Sequence, residues 1–228
     1  MDQQLQILIN RVWISPWADR FLASISNYAA WAPILLILVA LGLLFGSFKF
    51  RMMIFTAGLA VGISDGICVN GLKHLVERPR PSQVEPGVRV VEMGGVSRAL
   101  PRILGLSSPP RVTYPLGNVI PTKGPNPDKV VTGKSFPSGH AANNLAVATV
   151  LLLFYPRRGW IYLPIALLIA YSRIYTGAHW PLDVLAGMAL GVAGGWLATR
   201  LLQWFWKSFG RRLFPKLANL HPEIIREA

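Results

Sequence analysis

Positions 21–48, between Arg20 and Lys49, run 28 residues without one charged side chain. Their centre reads WAPILLILVALGLLF, which has no polar face to show to water. A helix crosses the hydrocarbon of a bilayer in about 20 apolar residues. This stretch therefore commits the chain to lipid. Four further apolar stretches follow, at 52–72 (one charge, Asp65), 138–155, 159–172 and 182–205. The third and fourth have only about 15 and 14 uncharged residues, short for a full crossing. That shortness fits buried or re-entrant helices or, as the flanking polar clusters favour, spans whose outer ends carry functional charge below the headgroups. Residues 1–29 begin with Leu, Ile and Trp mixed with charge, and read as an interfacial segment.

The expectation is one all-α domain over 1–228, a polytopic bundle of five spans, or six if the N-terminal segment inserts. Composition agrees: 52% hydrophobic against 14% charged, where soluble domains carry about 25% charge. A net charge of +13 suits a phosphate-bearing partner, but the long apolar stretches argue against nucleic acid. Cys68 is the single cysteine, so no internal disulfide or CxxC pair can form, and it reads as apolar filler. No cleaved signal peptide is expected.

Lysine and arginine in short loops mark the cytoplasmic side. Lys49 and Arg51, Arg157 and Arg158, and the group Arg200, Lys207, Arg211, Arg212 and Lys216 all fall on one side if five spans alternate. A cytoplasmic tail at 207–228 follows. The N-terminus, the 77–136 loop and the 173–181 turn then face outward. The 77–136 loop holds 10 of the 18 prolines and reads as a partly ordered cap over a site.

Polar residues gather where three spans meet the outer surface. They are Lys73 with Arg80-Pro81; Pro137-Ser138-Gly139-His140; and Ser172-Arg173, His179 and Asp183. Three cations at a low-dielectric boundary are costly unless they share an anion with several oxygens. A phosphate is such an anion, met by the Arg fork and the Lys point charge. Ser138 and Gly139 open a helix, where free N–H groups and the dipole favour the same anion. His179 can attack phosphorus if a carboxylate fixes its tautomer, and Asp183 is placed for that; His140 can protonate the leaving oxygen. His74, Glu77 and Arg78 read as interfacial, and His221 as a solvated tail residue. Asp65, an intramembrane carboxylate, reads either as functional or, at least as well, as a polar contact to another span with Asn143 or Asn144 as partner.

Lys73-x6-Arg80-Pro81, Pro137-Ser138-Gly139-His140 and Ser172-Arg173-x5-His179-x3-Asp183 resemble the three-part signature of the type 2 phosphatidic acid phosphatase superfamily. The resemblance implies a membrane lipid phosphatase with a phosphohistidine at His179, supported by Asp183. It implies His140 as general acid, Lys73, Arg80, Ser138, Gly139 and Arg173 as phosphate ligands, and no metal or cofactor. Undecaprenyl diphosphate is the first substrate expected, then phosphatidylglycerol phosphate, phosphatidate and lipid A 1-phosphate. The setting is a bacterial plasma membrane with the site on its extracytoplasmic side, among membrane lipids. A non-catalytic lipid-phosphate binder or transporter would keep the cations without needing the His179–Asp183 pair. Vanadate-dependent peroxidase chemistry is disfavoured by the membrane spans.

Overall fold

In a computed structural model the chain is described over residues 1–93, 110–116 and 133–225. The side chain of Cys68 and the remainder of the 77–136 loop lie outside the described residues, and with them the reading of each. Helix α1 (Asp2–Ile7) runs through a π-helical turn, Leu8–Val12, towards α2 (Pro16–Ile25). Ser15 caps α2 by accepting from the Ala18 N–H at 3.1 Å, and Pro16 fixes its first turn. The long apolar helix α3 (Tyr28–Phe45) starts after a break at Ser26 and Asn27, later than the uncharged stretch suggested. Only 6% of it is buried. Most of its side chains face outward, as a helix solvated by lipid requires, while Ala30 is buried and Gly42 sits against Phe50 and Ile54 of the next helix.

Helix α4 (Phe48–Val61) passes through a longer π-helical stretch, Gly62–Val69, into α5 (Asn70–Val76). A short helix α6 (Pro81–Val84) follows. Three more elements form the centre: α7 (Gly139–Phe154), α8 (Leu163–Tyr175) and α9 (Pro181–Leu213). At 1.5 Å per residue, α7 and α8 are about 24 and 20 Å long and α9 about 50 Å. Among the described residues, three helical segments are long and apolar enough to cross a membrane: Tyr28–Phe45, Phe48–Val84 and Pro181–Leu213. Two shorter apolar segments, Gly139–Phe154 and Gly159–Tyr175, complete the bundle.

Helix α7 lies at the core, with Ala141, Ala142, Ala146, Ala148 and Val150 all fully buried. It meets α9 through small residues. A Cβ at Gly187 would lie 2.4 Å from the Ser138 carbonyl oxygen, and one at Gly191 would lie 2.2 Å from that of Ala142. Backbones this close need glycine, the usual device for joining helices where lipid supplies no hydrophobic drive. The same contact draws the N-termini of α7 and α9 together, and the Ser138 N–H donates to the Asp183 carbonyl at 2.9 Å.

Two expectations are corrected. The fold is mostly helical but not all-α: β1 (Val90–Met93) pairs antiparallel with β2 (Pro110–Thr113), Val91 opposite Val112. Its β-branched residues suit a half-covered ribbon, and the Val91 N–H donates to the Thr176 carbonyl at 3.3 Å. The tail is not a solvated extension either. Pro215 opens α10 (Pro215–Leu220), and the chain folds back so that Trp206 Nε1 donates to the His221 carbonyl and His221 stacks on Phe48 at 4.4 Å. Ile224 is buried there.

The N-terminal segment packs on the end of α8 through buried polar groups. Gln6 Nε2 donates to the Ile174 carbonyl, Asn10 Nδ2 to those of Tyr175 and Arg89, and Arg89 pairs with Asp19 at 2.8 Å. At the other end, Lys49 lies over the Tyr155 ring at 5.0 Å, and Phe48 and Lys49 line a groove with His221 and Glu223. The loop cations and the tail thus share the end remote from the starts of α7 and α9.

Candidate active site

Each sequence-predicted residue sits at an element terminus facing one region. Lys73 is in the last turn of α5, Arg80 precedes α6, and Ser138, Gly139 and His140 open α7. Arg173 is in the last turn of α8, His179 in the following turn, and Asp183 in the first turn of α9. The five residues between Arg173 and His179 can turn this tightly because Gly177 adopts φ +74, where its missing Cβ would lie 2.1 Å from the Arg89 carbonyl oxygen. Beyond it, Pro181 fixes the first turn of α9, and Asp183 reaches back to accept from the Trp180 N–H at 3.0 Å.

His179 is buried, and its Nδ1 lies 2.7 Å from the Ser135 carbonyl oxygen. A carbonyl can only accept, so Nδ1 carries the proton and Nε2 keeps its lone pair. Burial, and next the positive charge of Arg173, hold this imidazole well below the ordinary histidine range; the Ser135 carbonyl opposes them. With the proton on Nδ1, Nε2 is left with its lone pair available. Asp183 is fully buried, with Oδ2 3.9 Å from Nδ1. It therefore does not bond the imidazole directly, as the sequence suggested. The Ser135 carbonyl fixes the tautomer, and Asp183 accepts from the Ser135 hydroxyl at 2.5 Å. The carboxylate is near enough to stabilise positive charge on the ring.

His140 stacks on Tyr28, ring centroids 4.3 Å apart, and faces the Ser26 backbone. Asn144 donates to the Tyr28 hydroxyl at 3.0 Å and accepts from that of Tyr162 at 2.7 Å. Asp65 finds neither asparagine expected for it. It borders Gly139, whose Cβ would lie 2.9 Å from Asp65 Oδ1 and 3.9 Å from Lys73 Nζ. The charges of Arg173 and Arg80 act on both imidazoles, and that of Lys73 on His140. Ser138 Oγ and Arg173 Nε are buried and, among the described residues, have no hydrogen-bond partner. Buried unpaired polar groups each cost about 1–3 kcal/mol, so both suit an incoming acceptor. Arg173 also borders a cavity of about 310 Å³, lined with it by Arg80, Ser26, Asn27, Glu92 and Thr176 among others.

Cations and unpaired donors beside two histidines, one with a free Nε2, suit an oxygen-rich anion and the chemistry of phosphoryl transfer. The family model described as the PAP2 superfamily matches residues 51–207. The chain belongs to the PAP2 superfamily. It is 26% identical over 208 residues to the lipid A 4'-phosphatase of Bacteroides thetaiotaomicron, covering 86% of this chain and 75% of that one. It is 52% identical over 61 residues to the undecaprenyl-diphosphatase of Sulfolobus acidocaldarius, 26% of this chain and 30% of that one. The chain spans between 24% and 57% of the length of the other curated relatives it matches. The solved structure of Aquifex aeolicus LpxE shares the fold, with TM-score 0.55 at 24% identity, over 86% of this chain and 93% of that one. Within this PAP2 chain, sequence reasoning missed Arg78, Ser135 and Tyr28. Ser135 acts partly through its backbone, which carries no side-chain signal, and Arg78 was hidden beside a stronger motif.

Proposed function

We propose that this PAP2 phosphatase hydrolyses the phosphate ester or diphosphate of a membrane lipid through a phosphohistidine at His179. The observation that carries the reading is the free Nε2 of a neutral, buried His179 beside unpaired donors of Ser138 and Arg173. Lys73, Arg80, Arg173, Ser138 and the N–H groups opening α7 hold the phosphoryl oxygens. Nε2 attacks phosphorus, the P–O bond to the lipid breaks, and His140, in its protonated form, gives the leaving oxygen its proton. The electrons of the broken bond stay on that oxygen. Asp183 stabilises the phosphorylated imidazolium. Water, deprotonated by the now neutral His140, then releases phosphate and restores both histidines. Among the described residues no three His, Cys, Asp or Glu side chains gather as metal ligands, and the positive charge in this cycle comes from the cations named.

Undecaprenyl diphosphate is the first substrate proposed. Lipid A phosphate is the second, favoured by a relative matched over 86% of the chain. The site is placed on the extracytoplasmic face. The test is phosphate release in detergent from undecaprenyl diphosphate, lipid A, phosphatidylglycerol phosphate and phosphatidate, with a chelator present. Turnover is expected to persist with the chelator, vanadate to inhibit, and His179→Ala to abolish release in a folded protein. Labelled phosphate is expected on His179 under alkaline quench. Turnover without any phosphoenzyme would remove the covalent mechanism, and no turnover on any lipid would remove the phosphatase reading.

A further inference from the structure

Arg78 lies outside the three motifs, two residues before Arg80. Its Nη1 is 2.6 Å from Asp183 Oδ1, and its Nη2 is 2.5 Å from Asp2 Oδ2. Asp2 in turn accepts from the Leu182 N–H at 2.9 Å, in the first turn of α9. The guanidinium lies over the Trp180 ring at 5.2 Å, and Trp180 Nε1 donates to the Pro79 carbonyl at 2.9 Å. Arg78 is therefore gripped on its plane and at both ends of its fork. Its side chain is 28% exposed and that of Asp183 is fully buried.

A carboxylate without contact to water is costly to keep charged unless it is paired and hydrogen-bonded. Asp183 has its Oδ2 occupied by the Ser135 hydroxyl and the Trp180 N–H. Its Oδ1 has Arg78. The carboxylate is thus aimed: Oδ2 holds Ser135, whose carbonyl holds His179 Nδ1. We propose that Arg78, braced by Asp2, is a positioning residue for catalysis, keeping Asp183 ionised and oriented so that Ser135 can present His179. The inference rests on the phosphohistidine reading above. It also gives the N-terminal helix a task at the site, because Asp2 reaches both Arg78 and the start of α9.

Arg78 touches no substrate in this scheme, so its removal is expected in kcat rather than in KM. In Arg78→Gln, kcat for the best lipid substrate falls about 100-fold, the scale set by misplacing a reacting group by about 1 Å. KM and vanadate inhibition stay within about threefold of wild type, because the phosphate ligands are untouched. Arg78→Lys, which keeps a charge against Oδ1, recovers at least tenfold of the loss. Asp2→Asn lowers kcat less, and Asp2→Asn with Arg78→Gln is no worse than Arg78→Gln alone, as members of one network behave. Phosphoenzyme trapped per folded molecule separates this from simple unfolding: the rate of labelling falls while its final amount is kept. A parallel rise of KM and of the vanadate constant would make Arg78 a phosphate ligand and overturn the proposal. Unchanged kcat in folded Arg78→Gln would overturn it alone, with the phosphatase reading intact. A wild type without turnover or labelling would overturn both.

Discussion

The division of labour around His179 is finer than the motif spacing conveys. Asp183 lies four residues from the histidine, yet the hydrogen bond to Nδ1 comes from the carbonyl of Ser135, 44 positions away. Asp183→Asn, which keeps the shape but removes the charge, is expected to lower kcat by about 10²-fold or more while His179 keeps its tautomer. Phosphoenzyme formation in rapid quench, and the imidazole nitrogen resonances of labelled histidine, check the two halves. The lowered pKa of His179 has a definite sign. A pKa below about 6.5 means that the neutral, nucleophilic ring persists as pH falls through that range. The acidic limb of kcat/KM that belongs to His179 is thus expected below pH 6.5, in a profile measured with a substrate whose own phosphate titration is corrected for. A limb above that value would contradict the account. Tyr28 supports His140 by stacking on its ring. Tyr28→Ala forfeits an aromatic contact of about 0.5–1.5 kcal/mol and is expected to slow leaving-group departure, so that a substrate with a better leaving group loses less rate.

At the scale of elements, the site is built from helix termini, and what brings the termini together is the α7–α9 contact. Gly187 and Gly191 let the Ser138 and Ala142 carbonyls approach the α9 backbone. Gly191→Leu is expected to part the two helices and lower both the detergent melting temperature and activity. Gly58→Ala is the comparison: a Cβ there meets nothing within 4 Å, and it should leave both unchanged. Fluorescence-monitored size exclusion after heating reads the difference. The glycines of α9 are plain in the sequence, but their partner is not, because a small residue announces a close approach and not what approaches. The same limit hid the β1–β2 ribbon: Val90 and Val91 have β propensity, but their partners at 110–113 lie beyond the 16 intervening residues 94–109. Strand pairing at that separation leaves no local periodicity to read.

For the whole molecule, lipid is the organising solvent. Helix α3 exposes Leu35, Leu36, Ile37 and Leu38 by half or more, stable only where the surroundings are apolar. Lys49, the α7–α8 turn and the folded-back tail gather at one end, and the residues proposed to bind phosphate at the other. That separation gives the orientation its test. In a Cys68→Ala background, Leu116→Cys is expected to react with an impermeant maleimide added outside intact cells, and Arg158→Cys only after the membrane is opened. The reverse pattern would place the site on the cytoplasmic face.

The sequence by itself determined the lipid setting, the apolar segments and the order of three polar clusters at their ends. These are local properties: charge-free length and residue type at fixed spacing survive without knowledge of any neighbour. It also marked Lys73, Arg80, Ser138, Gly139, His140, Arg173, His179 and Asp183, because their types match the demands of one anion. Only the tertiary structure decided that Ser135 holds His179, that Arg78 and Asp2 hold Asp183, and that Asp65 faces Gly139 rather than an asparagine. Hydrogen bonds and ion pairs between distant segments depend on where backbones come within about 3 Å, and glycine contacts, a turn at Gly177 and the packing of the N-terminal helix set those positions through space.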